Sequence, residues 1–251
     1  MSVQIQNQPR GKGAGYYFIL LITLVVVIGV GIFVLNPQPV SPFTDDLFGI
    51  ERPETQSVSG DPASFDPLDA YSEVLAFAAG DADIEALRLV EIEAAFVRND
   101  GTMDLTATYV PAPRTTYTFA LEVPRPADAP PAGVPGSTSN EDWYQEITVE
   151  AFEPGQRRRV SRLGGNVNTT FYYVNQGMTR FAGEITNDYE PEIFISVPEC
   201  SFVDLWEVAI EQGAPSDAVA QISYDEDGYM FNIVSEMVVR FNPDCTERSF
   251  P

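Results

Sequence analysis

The chain of 251 residues carries 37 acidic and 14 basic residues, a formal charge of −23, and it contains no histidine. A chain this acidic is a poor ligand for nucleic acid or for an anionic lipid surface. The missing histidine excludes Ser-His-Asp and Cys-His catalysis and every histidine-ligated metal site.

The first element in chain order is an uncharged, apolar run from Tyr16 to Leu35. Its length of about 20 residues matches a helix that crosses the ~30 Å hydrocarbon core of a bilayer. A cleaved signal peptide, the main alternative, has a shorter apolar region followed by small residues. This run is followed instead by Asn36 and Pro37. We therefore predict a transmembrane helix over residues 15–36.

The charges on the two sides of this run predict its orientation. Arg10 and Lys12 precede it, whereas the first acidic residue is Asp45. The positive-inside rule therefore places residues 1–14 in the cytoplasm and residues from 37 onward outside. The expected location is the cell membrane, which the chain crosses once.

Residues 37–65 combine prolines, acidic residues and small polar residues without a sustained periodicity. This composition is typical of a flexible linker. We expect an acidic tether here, with the folded part beginning near Asp66.

The segment 66–123 predicts a helix followed by antiparallel strands. Asp66 suits an N-cap and Gly80 a helix stop, so we expect a helix near 66–79. Asn99-Asp100-Gly101 is typical of a hairpin turn. The strands expected around this turn alternate in polarity and are Glu91 to Arg98, Met103 to Tyr109 and Thr116 to Val123.

The middle of the outer part begins with residues 124–141, which are rich in proline and form either a long loop or an interdomain linker. The segment 142–199 that follows is predicted to be β-rich. Its expected strands are Ile147 to Ala151, Arg158 to Leu163, Thr170 to Val174, Thr179 to Ile185 and Ile193 to Val197.

The last segment, 200–251, repeats the order of the segment 66–123. Ser201 and Asp204 suit the N-cap and the N3 acid of a helix over 201–212. Two diverged helix-plus-hairpin modules are one hypothesis, and coincidence is the other. The strands expected after the helix are Ala218 to Tyr224, Tyr229 to Ile233 and Met237 to Phe241.

The two cysteines, Cys200 and Cys245, both lie in the predicted outer part and bracket the last segment. An even count in an oxidising compartment predicts a disulfide. Closing a loop of ~45 residues stabilises a fold by roughly 4 kcal/mol in the chain-entropy model.

The chemistry open to the outer part is limited by the residues that it lacks. It contains no lysine, which excludes Schiff-base chemistry, a Ser-Lys dyad and a P-loop there. A disulfide also removes the thiol nucleophiles. Carboxylate chemistry remains, either as a glycosidase-like acid pair or as a metal held by Asp and Glu. We assign no catalytic, cofactor-binding or metal-binding residue.

The best calcium candidate is the segment from Ser223 to Gly228, which matches part of an EF-hand loop. Val234, however, stands where an EF-hand requires a bidentate Glu. The alternating residues on both sides of the segment also favour strands. We therefore predict a hairpin turn at Asp225-Glu226-Asp227-Gly228.

The basic cluster of the outer part is a candidate contact for an acidic partner or for lipid headgroups. The alternative is a set of salt bridges on a strand edge, where charge discourages aggregation. The cluster consists of Arg157, Arg158, Arg159 and Arg162.

The sequence as a whole predicts an α+β fold: one transmembrane helix, then a mainly antiparallel β-rich region with two short helices. We interpret the chain as a membrane-anchored, extracytoplasmic interaction or accessory protein, non-enzymatic and without a cofactor, that binds another envelope protein. Two alternatives are a carboxylate-dependent enzyme acting on envelope polysaccharide and a calcium-responsive acidic domain.

Overall fold

A computed structural model describes residues 53–107, 111–127, 129, 142–152, 157–162, 168–173, 177–187 and 193–248. The predicted cytoplasmic segment 1–14 and the predicted transmembrane helix 15–36 lie outside these residues. Within them, no helix is both long enough and apolar enough to span a bilayer. The chain from Pro53 onward forms one compact unit.

The described residues form one antiparallel sheet of eight strands and a separate ribbon of two strands. The order in the large sheet is β1-β7-β4-β3-β2-β8-β9-β10, and β5 pairs with β6 in the ribbon. The strands are β1 (Glu54–Gln56), β2 (Leu87–Val97), β3 (Arg114–Val123), β4 (Trp143–Phe152), β5 (Arg157–Arg162), β6 (Asn168–Tyr173), β7 (Met178–Thr186), β8 (Ala220–Asp225), β9 (Gly228–Ile233) and β10 (Met237–Phe241).

Two α-helices accompany the sheet, α1 (Tyr71–Ala79) and α2 (Phe202–Glu211). They confirm the predicted α+β class with two short helices. Short 3-10 turns occupy Pro62–Ser64 and Ile84–Ala86. The helix α1 begins later than predicted because the Asp66 carboxylate accepts the N–H groups of Leu68 and Asp69, which forms a separate turn ahead of the helix.

The predicted capping of α2 is confirmed. The Ser201 hydroxyl oxygen accepts the Asp204 N–H at 3.1 Å, and the Asp204 carboxylate accepts the Ser201 N–H at 3.0 Å. This reciprocal capping box satisfies two donors at the start of the helix. The helix therefore begins where the sequence places its cap.

Both helices cover the same face of the sheet, which we call the inner face. The α2 residue Trp206 packs edge-on against Phe231 of β9, with ring centroids 4.9 Å apart. From β7, Arg180 donates its Nε–H to the carbonyl of Ala78 in α1. The core lies between the helices and the inner face, where the largest buried side chains include Trp206, Tyr117, Tyr224, Tyr229, Phe119 and Phe231.

The hairpin predicted at Asn99-Asp100-Gly101 is wrong. The turn forms, with the Gly101 N–H donating to the Arg98 carbonyl, but the chain does not return along β2. Met103 pairs in an isolated bridge with Phe65, and β8 occupies the place beside β2 that the predicted strand would take. A helix-plus-hairpin unit is therefore present among the described residues only in the last segment, as α2 with β8 and β9.

Two other segments differ from the sequence-based expectation. The folded part begins before residue 66, because β1 pairs with β7 and Phe65 is buried. The segment 193–197 contributes only a single bridge, between Ile195 and Leu89. The strands on either side of residues 124–141 belong to one sheet, because the end of β3 at Val123 pairs with the start of β4 at Trp143.

Candidate interaction surfaces

The face of the sheet opposite the helices, which we call the outer face, is mainly polar. One row of paired residues crosses all eight strands on this face. Its member Glu93 is exposed, whereas Ser223 and Thr179 are buried. Next to Glu93, Thr116 is half-buried. From one edge to the other the row is Arg240, Met230, Ser223, Glu93, Thr116, Glu150, Thr179 and Thr55.

Four carboxylates cluster on the outer face where β2 meets the end of β8, and we call them the acidic patch: Glu91, Glu93, Asp225 and Glu226. Glu93 pairs with Ser223, and Ile92 pairs with Tyr224. The antiparallel register therefore brings Glu91 toward Asp225, the last residue of β8. Like charges opposite each other on neighbouring strands destabilise a sheet.

The crowding of these carboxylates shifts their acidity. Burial raises the pKa of Glu91, and the negative charges of Glu93, Asp225 and Glu226 raise it further. Burial also raises the pKa of Asp225. The N–H of Asp227 and the positive charge of Arg240 lower it, whereas the charges of Glu226 and Asp227 raise it further. The charged forms of Glu91 and Asp225 are therefore destabilised in the folded chain. An additional cation nearby would reduce that destabilisation.

The turn at the end of β8 is a hairpin, as predicted, and not an EF-hand loop. Strands flank it on both sides, and Asp225 pairs with Gly228. The Asp225 carboxylate accepts the N–H of Asp227 at 2.8 Å, so it caps the turn. Within the residues that the structure describes, no group of three or more His, Cys, Asp or Glu could hold a metal ion.

The predicted basic cluster lies on β5, in the two-stranded ribbon, which we call the basic ribbon (β5 and β6). Its three consecutive arginines each pair in register with an aromatic residue of β6: Arg157 with Tyr173, Arg158 with Tyr172 and Arg159 with Phe171.

The predicted disulfide between Cys200 and Cys245 is present, with the two Cα atoms 5.6 Å apart. Cys200 is buried directly before the N-cap of α2. Cys245 lies in the turn after β10, where its N–H donates to the Asn242 carbonyl. The bond ties the start of α2 to the last strand of the sheet and leaves neither sulfur as a nucleophile.

Comparison of the chain with protein-family models, with curated proteins and with solved structures finds no match.

Sequence reasoning missed Glu91 and Glu93 as members of a site, although it placed them on a strand. Their two-residue spacing predicts a shared face. It contains no information about the neighbouring strand, which begins more than 120 residues later in the chain. Only the pairing of β2 with β8 brings them to Asp225.

Proposed function

We propose that the chain is a membrane-anchored, extracytoplasmic, non-enzymatic interaction protein that binds another envelope protein through the outer face of its sheet. The observation that carries this proposal is the acidic patch on the face that α1 and α2 leave uncovered. Burial and crowding raise the pKa of its half-buried members, Glu91 and Asp225. Basic groups of a partner would relieve that repulsion, and complementary charge also gives specificity and a faster encounter.

The predicted anchor supports this role because its tether sets how far the folded unit can extend from the membrane. If the membrane helix ends near residue 36, about 16 residues separate it from Pro53, the start of the compact unit. Fully extended, such a tether spans roughly 55 Å. The folded unit would then stay close enough to the membrane to meet other envelope proteins. A reporter fused after Pro251 tests the topology, and activity of that reporter in the cytoplasm would contradict it.

The binding proposal is tested by isolating the full-length protein from its native membrane at about 0.15 M salt, where the Debye length is about 8 Å. The cells also carry a second copy with a different tag, so that self-association is scored as well. The patch variant Glu91→Gln/Glu93→Gln/Asp225→Asn is expected to lose a partner that the wild type retains.

A matched control removes the same number of charges elsewhere. Glu207, Glu211 and Asp217 are exposed on α2 and in the turn after it. The variant Glu207→Gln/Glu211→Gln/Asp217→Asn should keep the partner. Equal recovery of every co-purifying protein from the patch variant and from the control would sink the proposal.

A carboxylate-dependent enzyme acting on envelope polysaccharide is the second candidate. The raised pKa of Glu91 favours it, because a general acid must hold its proton near the working pH. Glycosidases place two carboxyl groups about 5–10 Å apart across a substrate cleft. Hydrolysis of envelope polysaccharide that is lost in Glu91→Gln but kept in Glu207→Gln would support this enzyme over the interaction protein.

A further inference from the structure

The strand β10 lies at one edge of the eight-stranded sheet. Among the described strands it pairs only with β9, on one of its two sides. Its sequence, Met-Val-Val-Arg-Phe, is rich in residues that favour strands and carries a single charge. An edge of this kind is a template for pairing with another chain unless the fold covers it.

The residues 242–248, which we call the edge segment, turn back after β10 and cover the end of that edge. The Arg248 N–H donates to the Arg240 carbonyl at 2.8 Å, and Phe241 forms an antiparallel bridge with Glu247. This is the start of a further antiparallel ladder. The edge segment therefore occupies backbone groups of β10 that a strand from outside would otherwise use.

Three side-chain contacts hold the edge segment against the two ends of α2 and against the β8–β9 turn. They are the Cys200–Cys245 disulfide, the Gln212 amide with the Glu247 carboxylate at 3.0 Å, and the Arg248 guanidinium with the Asp227 carboxylate at 3.1 Å. The two polar contacts are exposed, and an exposed ion pair contributes at most about 1 kcal/mol. The disulfide is therefore the main contact that keeps the edge segment on β10.

The direction of the backbone bonds shows which residues of β10 face the edge. In an antiparallel strand, the N–H and C=O groups of one residue point to the same side, and those of the next residue point to the other. The Arg240 carbonyl points away from β9, toward Arg248, so the backbone groups of Val238 also point to the edge. The Val238 side chain is 51% exposed.

The exposed edge of β10 is complementary to that of a second copy. Two copies placed antiparallel about Val239 would put Val238 of each opposite Arg240 of the other. These are the residues whose backbone groups face the edge, so both pairs would be hydrogen-bonded. Arg240 is the only charged residue of β10, and it would meet an aliphatic side chain and not a like charge.

We propose that β10 is a dimer interface with the β10 of a second copy, and that the edge segment blocks it as long as the disulfide is intact. While the Arg248 N–H occupies the Arg240 carbonyl, a second copy cannot bond to the same group. Once the edge segment leaves, the two strands pair about a two-fold axis and join their sheets. The interface does not involve the acidic patch.

The release requires a dithiol as the reductant. One of its thiolates attacks a sulfur of the disulfide, the other protein sulfur leaves as a thiolate, and the second thiol of the reagent then displaces the remaining protein sulfur. Two electrons and two protons pass to Cys200 and Cys245, which become thiols, and the reagent becomes a cyclic disulfide. The edge segment is then held by its polar contacts alone.

The first test asks whether the edge segment leaves β10 while the sheet stays folded. Hydrogen exchange of the full-length protein in detergent micelles is measured by mass spectrometry with and without dithiothreitol, after titration confirms two thiols in the reduced sample. A peptide containing residues 242–248 should lose protection on reduction, whereas a peptide from β9 should keep it. Equal loss in both peptides, or no loss in either, overturns the proposal.

The second test measures association by sedimentation velocity in the same micelles at about 0.15 M salt, where the Debye length is about 8 Å. Reduction of the wild type should raise the association constant at least about tenfold, which corresponds to about 1.4 kcal/mol. The variant Cys200→Ser/Cys245→Ser should associate as strongly without any reductant. An association constant that does not rise on release of the disulfide overturns the proposal.

Charges placed at Val238 test the pairing itself, in the variant without the disulfide. Val238→Lys would face Arg240 of the other copy and should weaken the dimer, whereas Val238→Glu should strengthen it. Net charge alone predicts the opposite order, because the chain has a formal charge of −23 and a lysine reduces the repulsion between copies. The expected order therefore reports the pairing of Val238 with Arg240.

The matched controls place the same charges at Val234, which is 73% exposed in the turn between β9 and β10. Val234→Lys and Val234→Glu should leave the association constant nearly unchanged. A dimer that responds alike at both positions, or at neither, forms through another surface and overturns the proposal.

A strand of a different protein is the alternative occupant of β10. The two-tag isolation from the native membrane, repeated with Cys200→Ser/Cys245→Ser, distinguishes it from a second copy. Retention of a new protein without the second tagged copy would overturn the proposal. Because the acidic patch takes no part in this interface, its failure leaves the proposed function standing, and the reverse is also true.

Discussion

Cys200 and Cys245, which are 45 residues apart in the chain, join the residue before the N-cap of α2 to the turn that follows β10. The bond closes a loop that contains α2, β8, β9 and β10. The variant Cys200→Ala/Cys245→Ala should lower the free energy of unfolding by roughly 4 kcal/mol, because the unfolded chain regains the freedom of that loop. Urea unfolding measures the loss. Two free thiols in the unreduced wild type would contradict the pairing.

The capping box of α2 predicts a smaller effect at the neighbouring residue. Replacing Ser201 by Ala removes the acceptor for the Asp204 N–H. Losing an N-cap of this kind costs about 1 kcal/mol. The matched control is Ser72, which is exposed within α1 and caps no helix. Ser72→Ala should therefore leave the free energy of unfolding nearly unchanged. Equal unfolding midpoints for Ser201→Ala and the wild type would show that the cap contributes nothing.

Alanine substitutions at two glycines with positive φ distinguish the cost of backbone strain from the cost of steric overlap. Gly228 in the β8–β9 turn has φ +97°, and a Cβ there would overlap the backbone oxygen of Phe241 in β10. Gly213 after α2 has φ +101° with no atom within 4 Å of the added Cβ. We expect Gly213→Ala to cost about 1 kcal/mol and Gly228→Ala roughly 3 kcal/mol, since the second must also displace β10. Thermal unfolding of the two variants would contradict this if their midpoints fell equally.

Local signals in the sequence predict the elements of this fold well. The Ser201 and Asp204 pair gives the start of α2, because a capping box depends on residues three apart. Alternation predicts β3, β4, β8 and β9, because each buries one face on the same core. The disulfide also follows from the count of cysteines and their predicted compartment.

Pairing between distant strands was not predictable in the same way. Asn99-Asp100-Gly101 forms its turn, yet the chain turns again at Leu105 and Thr106, where the Asp104 carboxylate accepts the N–H of Thr106. The strand β1 has three residues, which is too short to show any alternation. It forms because its backbone pairs with the edge strand β7.

The sequence predicts one of the two candidate surfaces and not the other, for the same reason. The arginines of the basic ribbon are adjacent in the chain, so composition alone identifies them. The acidic patch joins Glu91 on β2 with Asp225 on β8, and no local pattern connects those residues. A surface assembled from distant strands requires the topology before it can be recognised.

The raised pKa of Glu91 predicts a pH-dependent effect of Glu91→Gln on stability. Burial raises the pKa above its ordinary value of 4.5, and the charges of Glu93, Asp225 and Glu226 add to the effect. The charged form is therefore disfavoured in the folded chain relative to the unfolded one. The wild type should be less stable than Glu91→Gln at pH 7, and this difference should disappear as the pH falls through the raised pKa toward about 4.

The quantity to measure is the difference in the free energy of unfolding between Glu91→Gln and the wild type. Urea unfolding at about pH 7, 5.5 and 4 gives this difference. The stability of the wild type alone is not informative, because a hydrogen bond from the Thr106 hydroxyl lowers the pKa of Asp104 and so contributes stability that is lost in acid. Glu207→Gln removes one charge from the exposed surface of α2 and measures the effect of net charge alone. If Glu91→Gln and Glu207→Gln raised the free energy of unfolding equally at every pH, crowding in the acidic patch would not perturb folding.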